Sequence, residues 1–205
     1  LKLKVNLKTI GTNIIFKDKK IQLASIKSTI SIKSLLNNQF SLTNLKISTK
    51  SIDIKNLLSF SRLFKNDAKL YLVEKLIKNG DVLGNIYVEF DENGKIKDNF
   101  KIEGFVKNGK ISSIKKYQFN KINFKFNFIK NNIKLTDIDV YLNDNNIYST
   151  ALIVQKKKDK FYISGKANSK KISLKEKQIS NFFDFNNSNL ISEIEFTINN
   201  DFSFE

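Results

Sequence analysis

The chain has 205 residues and a formal net charge of +16, and only one of its 36 basic residues, Arg62, is arginine. It contains no cysteine or histidine, which excludes a Ser-His-Asp triad, a cysteine nucleophile, disulfides and the common zinc sites within these residues. Lysine lacks the planar fork with which arginine reads bases, so the charge predicts at most a weak attraction to anionic membrane surfaces.

Strict alternation of apolar and polar residues recurs along the chain, for example in residues 1–7, 121–128 and 192–198. Alternation puts every second side chain on one face of a strand. One face here carries Leu, Val, Ile and Phe, and the other carries Lys, Asn, Ser and Glu. The pattern predicts an antiparallel sheet with one apolar and one solvated face.

Residues 1–55 are predicted to form strands separated by polar breaks. The apolar positions are odd-numbered at Ile21 and Leu23 but even-numbered from Ile26 onward. We therefore predict a bulge or tight turn near Ala24 and Ser25. The predicted strands of this part are 1–7, 13–16, 21–23, 26–32, 40–47 and 51–54.

Residues 56–79 are predicted to be a helical insertion, because the apolar period changes there from two to 3.6. Leu57, Phe60 and Phe64 would share one helical stripe, and a second short helix would follow up to Lys78. Asn79-Gly80 is a typical helix stop. We expect the two helices to cover one opening of the sheet or to plug its apolar face.

Strands return over residues 80–205. Asp91-Glu-Asn-Gly94 and Lys107-Asn-Gly109 are predicted hairpin turns. About a dozen strands in sequence order, spaced by roughly 4.8 Å, predict a meander some 55 Å long that must curl. The predicted strands are 82–90, 99–106, 111–114, 122–129, 133–143, 147–155, 160–168, 172–174 and 190–198.

The predicted fold class is mainly β: a long, curled antiparallel meander sheet that forms an open, taco-like groove, with a short two-helix insertion near residues 56–78. We interpret residues 1–205 as a single β-groove segment. The chain starts at Leu1 without a methionine and ends in alternation at Phe202-Ser-Phe-Glu205. We therefore expect it to be a segment of a longer protein.

No residue is predicted to be catalytic or to hold a metal or cofactor, and we expect the chain not to be an enzyme. Asp137 and Asp139 lie at strand spacing and could in principle do acid/base work, but a solvated strand face is favoured because Ile138 and Val140 occupy the other side. Platforms for single-stranded nucleic acid interleave aromatic and cationic residues on one face. Here Phe124 and Phe126 alternate with Lys125 on the opposite face, so no nucleic acid partner is expected.

The apolar side chains of the central strands are the candidate ligand-contacting residues. Register would place them on one continuous concave face. They are Ile86, Val88, Phe90, Phe100, Ile102, Val106, Ile122, Phe124, Phe126, Phe128, Val140 and Leu142.

Residues 40–58, the helical residues 57–78, the segment Gly80-Asp-Val-Leu-Gly-Asn-Ile-Tyr-Val-Glu-Phe90 and residues 98–107 resemble the AsmA-like family of bacterial envelope proteins, which includes TamB. The resemblance implies a β-groove that shields phospholipid acyl chains between the inner and outer membranes. It also implies a periplasmic location, contact with membrane surfaces, and a longer parent chain that supplies the rest of the groove. The membrane helix that would anchor that parent in the inner membrane is not recognisable in these residues.

A second interpretation remains open. The same alternation would suit a structural β-sandwich or β-solenoid scaffold module whose core is filled by its own side chains. The two interpretations differ in whether an apolar face stays uncovered, which periodicity alone does not decide.

Overall fold

The computed structural model describes residues 3–64, 68–113, 117–158, 160–176, 178–179 and 191–205. These residues form one large antiparallel sheet of 12 strands, a separate sheet of two strands, and three short helices. The elements, in chain order, are β1 Lys4–Ile10, β2 Asn13–Phe16, β3 Lys19–Ser31, α1 Ile32–Leu36, β4 Leu42–Thr49, β5 Ile52–Asp53, α2 Ile54–Phe64, α3 Ala68–Leu76, β6 Ile77–Glu89, β7 Lys101–Ile111, β8 Phe119–Ile129, β9 Asn132–Leu142, β10 Asn145–Lys157, β11 Lys160–Ser169, β12 Ile172–Lys175, β13 Glu193–Phe196 and β14 Asn199–Phe204.

The large sheet is a curled, open meander, which confirms the predicted fold class. Its strand order is β1-β3-β4-β6-β7-β8-β9-β10-β11-β14, with β2 paired to β3 and β5 paired to β6. Every described pairing in it is antiparallel, and β1 and β14 are its outermost strands. The two-stranded sheet pairs β12 with β13 and buries Ile172 and Leu174 in a small cluster of its own.

The bulge predicted near Ala24 and Ser25 is confirmed. The residues predicted as two strands form the single strand β3, whose register with β4 shifts between Leu23 and Ser25. The shift lets odd-numbered Leu23 and even-numbered Ile26 join the same apolar cluster.

The predicted turn at Lys107-Asn-Gly109 and the predicted helix stop at Asn79-Gly80 are both wrong. The second helix ends at Leu76, and β6 begins at once and pairs with β7, which continues through Gly109 to Ile111. A β-carbon on Gly80 would lie 2.9 Å from the Cα of Gly109. Two strand backbones that approach this closely require glycine, and Gly80 (φ +139°) and Asn108 (φ +51°) absorb the irregular register.

The helical insertion lies close to its predicted position, with α2 on the sheet and α3 against α2. Phe60 of α2 is buried with Leu23, Val82 and Val106, so this helix packs on the apolar face. Arg62 holds α3 in place: its Nη1 lies 2.6 Å from Oε2 of Glu74, and its guanidinium lies 4.8 Å from the ring centre of Tyr71. The only arginine of the chain therefore joins two helices. Among the described residues, no helix has the length and apolar composition needed to cross a bilayer.

Candidate functional site

A continuous row of apolar side chains crosses nine strands of the large sheet. Directly paired residues on adjacent antiparallel strands share a face, and here each member pairs with the next. We call this set the isoleucine row: Ile26, Ile47, Ile86, Ile102, Phe128, Ile133, Val154, Ile163 and Phe204. Eight strand spacings of ~4.8 Å make the row about 38 Å long.

A second row runs parallel to the first and contains three glycines; it lies two residues along each strand, except on β3, where the bulge makes the separation three residues. We call it the glycine row: Leu23, Thr49, Gly84, Gly104, Phe126, Leu135, Leu152, Gly165 and Phe202. The ring of Phe126 lies across Gly84 and Gly104, within 3.8 and 2.8 Å of where their β-carbons would be. Phe202 covers Gly165 in the same way, at 3.3 Å. Aromatic rings thus replace the side chains that the glycines lack.

Helix α2 covers one half of this apolar face. The buried cluster consists of Ile21, Leu23, Ile52, Phe60, Val82 and Val106, with Ile26, Ile47, Phe124 and Phe126 packed around it. All of these residues lie on α2 or on strands β2 to β8. We call the sheet from β3 to β8 the covered half.

The other half of the same face carries apolar side chains without such cover. On β9, β10, β11 and β14, which we call the open half, no described hydrophobic side chain is buried. Its members of the isoleucine row are Ile133, Val154, Ile163 and Phe204, and Phe204 is 61% exposed. None of the residues packed on the α2 cluster lies on these strands. The open half is therefore the part of the face that a ligand could reach.

The twelve candidate residues lie on the central strands β6 to β9 or directly beside the ends of β6 and β7. Ile86, Ile102 and Phe128 belong to the isoleucine row, and Phe126 belongs to the glycine row. Val106 is buried opposite Phe124. Four other candidates are paired across adjacent strands: Val88 with Leu45, Ile122 with Gly109, Val140 with Ile147 and Leu142 with Phe119. The last two make ring contacts: the ring centre of Phe100 lies 5.6 Å from that of Phe128, and the ring centre of Phe90 lies 5.5 Å from that of Phe40.

Two of the predicted candidates, Val140 and Leu142, lie on β9 in the open half, but the other apolar residues of that half were not among the candidates. Leu135, Leu152 and Ile163 lie in the open half, whereas Val106, Phe124 and Phe126 take part in or pack against the α2 cluster. The alternation that would have identified the open-half residues is visible in residues 133–135 and 152–154. It does not show which strands a helix covers.

The opposite face of the sheet is mainly polar and carries an ionic cluster on the covered half. Lys101 Nζ lies 2.6 Å from Oε2 of Glu103, the hydroxyl of Tyr87 donates to Oε1 of Glu103 at 2.9 Å, and Lys46 lies over the Tyr87 ring. The hydrogen bond from Lys101, followed by that from Tyr87, holds the pKa of Glu103 below its ordinary value of 4.5. The same bond to Glu103 raises the pKa of Lys101.

Asp137 and Asp139 are engaged in structural contacts. Asp137, which has φ +52° at an irregularity between β8 and β9, lies 2.8 Å from Nζ of Lys125 and is 64% exposed. The Asp139 carboxylate accepts a hydrogen bond from Nδ2 of Asn146. In the part of the chain that the structure describes, no group of three or more His, Cys, Asp or Glu residues could hold a metal ion.

Comparison with protein-family models, curated proteins and solved structures found no match to this chain. The resemblance to the AsmA-like family therefore stays a hypothesis.

Proposed function

We propose that the chain is a non-enzymatic lipid-handling segment that holds phospholipid acyl chains on its apolar face. The observation that carries the proposal is the open half: apolar side chains in continuous register, none of them buried. An acyl chain that leaves water for such a surface gains roughly 0.8 kcal/mol for each buried methylene. No precise recognition of the chain is needed, because the hydrophobic effect is not directional.

The cellular setting of this proposal comes from the resemblance to the AsmA-like family. The segment would support phospholipid transport or outer-membrane homeostasis in the periplasm. Its parent protein would be anchored in the inner membrane, would contact membrane surfaces, and would supply the rest of the β-groove. The outer edges of β1 and β14, which pair with no further strand among the described residues, support this continuation, because such edges can pair with strands of the rest of a groove.

The structural-scaffold alternative rests on the covered half. There, Phe60 and the residues around it form a core without any ligand. A β-sandwich, however, needs a second sheet of comparable size to face the first. In the described residues the second sheet has only two strands, and its buried residues form a separate cluster. This difference favours the lipid-binding proposal over the scaffold.

Two adjacent residues of β10 offer a matched test. Val154 belongs to the isoleucine row, whereas Ile153 pairs with Ser164 and faces the other way. The purified chain would be mixed with phospholipid in detergent, and bound lipid would be counted by native mass spectrometry. We expect Val154→Lys to reduce bound phospholipid severalfold, because a lysine would require desolvation beside the acyl chain. The control Ile153→Lys should bind as the unmodified chain does.

The outcome also separates the two interpretations. Equal binding by both variants, or a chain that binds no phospholipid, would refute lipid binding on this face. If Val154→Lys unfolds the chain and Ile153→Lys does not, the face is a filled core and the scaffold interpretation is correct. A thermal melt of each variant distinguishes loss of binding from loss of fold.

A further inference from the structure

A cavity of about 690 Å³ opens at one end of the strands, where the start of β1 and β4 meets the end of β3 and β6. We call it the rim cavity. Its apolar lining consists of Leu3, Phe40, Leu42 and Phe90. The size falls within the range of small-molecule sites, about 300–1,000 Å³. Phe90 also alternates with Val88 and Ile86 on β6, so the apolar lining continues toward the isoleucine row.

The polar lining of the rim cavity contains two lysines without a counter-ion. Lys4 and Lys33 line it, are exposed, and form no ion pair among the described residues. The hydroxyls of Ser31 and Ser34 lie at the same wall and are hydrogen-bonded to each other at 3.0 Å. Two free ammonium groups beside hydroxyls favour a phosphate, for which lysine is a common point-charge partner.

Three carboxylates line the same cavity, and they differ in availability. Glu89 lies 3.6 Å from Nζ of Lys97, and Asp91 accepts hydrogen bonds from the backbone N–H groups of Asn93 and Lys95. Glu92 is exposed and has no ion-pair partner among the described residues. The Glu92 carboxylate would repel a ligand that carries only negative charge. A ligand with both a phosphate and an amine would satisfy both kinds of charge.

We infer that the rim cavity binds the headgroup of a zwitterionic phospholipid, with the phosphate at Lys4 and Lys33 and the amine at Glu92. The apolar lining takes the first part of the acyl chains and leads them past Val88 to the isoleucine row, which continues from Ile86 across the sheet to the open half. This inference rests on the proposed function and adds a headgroup preference to it. The shared chemistry, a phosphate linked to an amine, also occurs in soluble compounds, and the test below includes one.

The test compares lipids that share their acyl chains but differ in headgroup. Phosphatidylethanolamine, phosphatidylglycerol and diacylglycerol would each be offered to the full chain, and bound lipid counted by native mass spectrometry. We expect phosphatidylethanolamine to be retained best. The double variant Lys4→Gln/Lys33→Gln should retain it about fivefold less, the effect of losing two weak charge contacts. Retention of diacylglycerol should not change.

A second pair of lysines serves as the control. Lys130→Gln/Lys156→Gln removes the same charge from exposed positions outside the cavity and should leave retention unchanged.

Glu92→Gln should abolish the preference for phosphatidylethanolamine over phosphatidylglycerol. All of these side chains are exposed, so thermal melts of the variants should match that of the unmodified chain.

Several results would overturn the inference, and they differ from failure of the proposed function. If both double variants retain phosphatidylethanolamine equally, the headgroup site is wrong while acyl-chain binding stands. If the unmodified chain binds none of the three lipids, both proposals fall. Calorimetry with glycerophosphoethanolamine tests whether the ligand is instead a soluble compound with the same phosphate and amine. If the chain binds this compound but binds no lipid, the ligand is not a lipid.

Discussion

The covered half and the open half of the large sheet share the same apolar rows but differ in what lies on them. Ile47 and Ile86 in one half and Val154 and Ile163 in the other are members of one registered row. Helix α2 turns the first half into a buried core, and no described side chain does the same for the second. Strand periodicity thus creates the apolar face, and a local insertion decides which part of it becomes core.

The largest expected effect comes from placing a charge on each half. Val82 is 8% exposed in the α2 cluster, so Val82→Lys would bury an ammonium group without a partner. We expect a loss of about 4 kcal/mol of unfolding free energy, enough to unfold much of the chain. Val154→Lys should cost about 1 kcal/mol, because its lysine can extend to water. Urea denaturation followed by circular dichroism measures both, and equal losses would show that the halves are covered alike.

A matched truncation within the glycine row tests the same difference without charge. Leu23 is 1% exposed, whereas Leu152 is only partly buried. Leu23→Ala should cost about 3 kcal/mol, since it removes contacts and leaves a cavity. Leu152→Ala should cost about 1 kcal/mol. Bound phospholipid should protect the chain more when Leu152 is intact. Denaturation midpoints with and without lipid measure this protection. If lipid shifts the midpoints of the unmodified chain and of Leu152→Ala equally, Leu152 does not contact the lipid and the proposed difference between the halves is wrong.

The sequence predicted the strands, the bulge near Ala24 and the approximate place of the helices, because all three depend on local periodicity. It did not predict the close approach of Gly80 to Gly109. Each of these glycines follows an asparagine, which is a typical stop or turn signal when read alone. The signal was overridden by pairing between β6 and β7, a contact between residues distant in sequence. Helix α1 was also missed, where Ser31 caps five residues that continue the β3 pattern.

The candidate site was predictable only in part. The alternation around Phe124 and Phe126 correctly placed their side chains on the apolar face with Ile102 and Phe128. The conclusion that these rings line a free surface required knowledge of what α2 covers. Phe126 also fills the space above two glycines, a role that no spacing pattern indicates. Packing between distant elements determines both features, and a single sequence does not contain that information in readable form.

Backbone contact, unlike burial, is close in both halves. A β-carbon on Gly104 would overlap the Leu83 carbonyl oxygen and lie 2.8 Å from Cα of Gly84. On Gly165 it would lie 2.9 Å from the carbonyl oxygen of Ala151. We expect Gly104→Ala and Gly165→Ala each to cost about 2 kcal/mol by overpacking.

Gly84→Ala is the control for these two substitutions. Its β-carbon would meet Glu103 O at 3.4 Å and Phe126 at 3.8 Å, so the change should cost less than about 1 kcal/mol. Urea denaturation measures all three variants. A tolerated Gly165→Ala beside a disruptive Gly104→Ala would show that the strands of the open half are held less closely than those of the covered half.

The smallest expected effect lies on the polar face of the covered half, at the ion pair of Glu103 with Lys101. The two side chains are 31% and 35% exposed, so solvent weakens the pair. Glu103→Gln should cost about 0.5 kcal/mol at neutral pH. The pKa of Glu103 is lowered in the folded chain, so its contribution is present above its ordinary value of 4.5 and is lost as the pH falls through the folded pKa. Lys101 has a raised pKa, so its contribution is lost only as the pH rises above 10.5 and through the folded pKa.

The difference in stability between the unmodified chain and Glu103→Gln should therefore be constant between about pH 6 and pH 9 and should shrink toward both extremes. Denaturation midpoints across this range measure it. Asp137→Asn is the matched control: its partner Lys125 is 67% exposed, although the pair raises the pKa of that lysine. We expect a smaller change for this variant at every pH. A larger effect at Asp137 than at Glu103 would contradict the expectation that the less exposed ionic cluster around Tyr87 contributes more to stability.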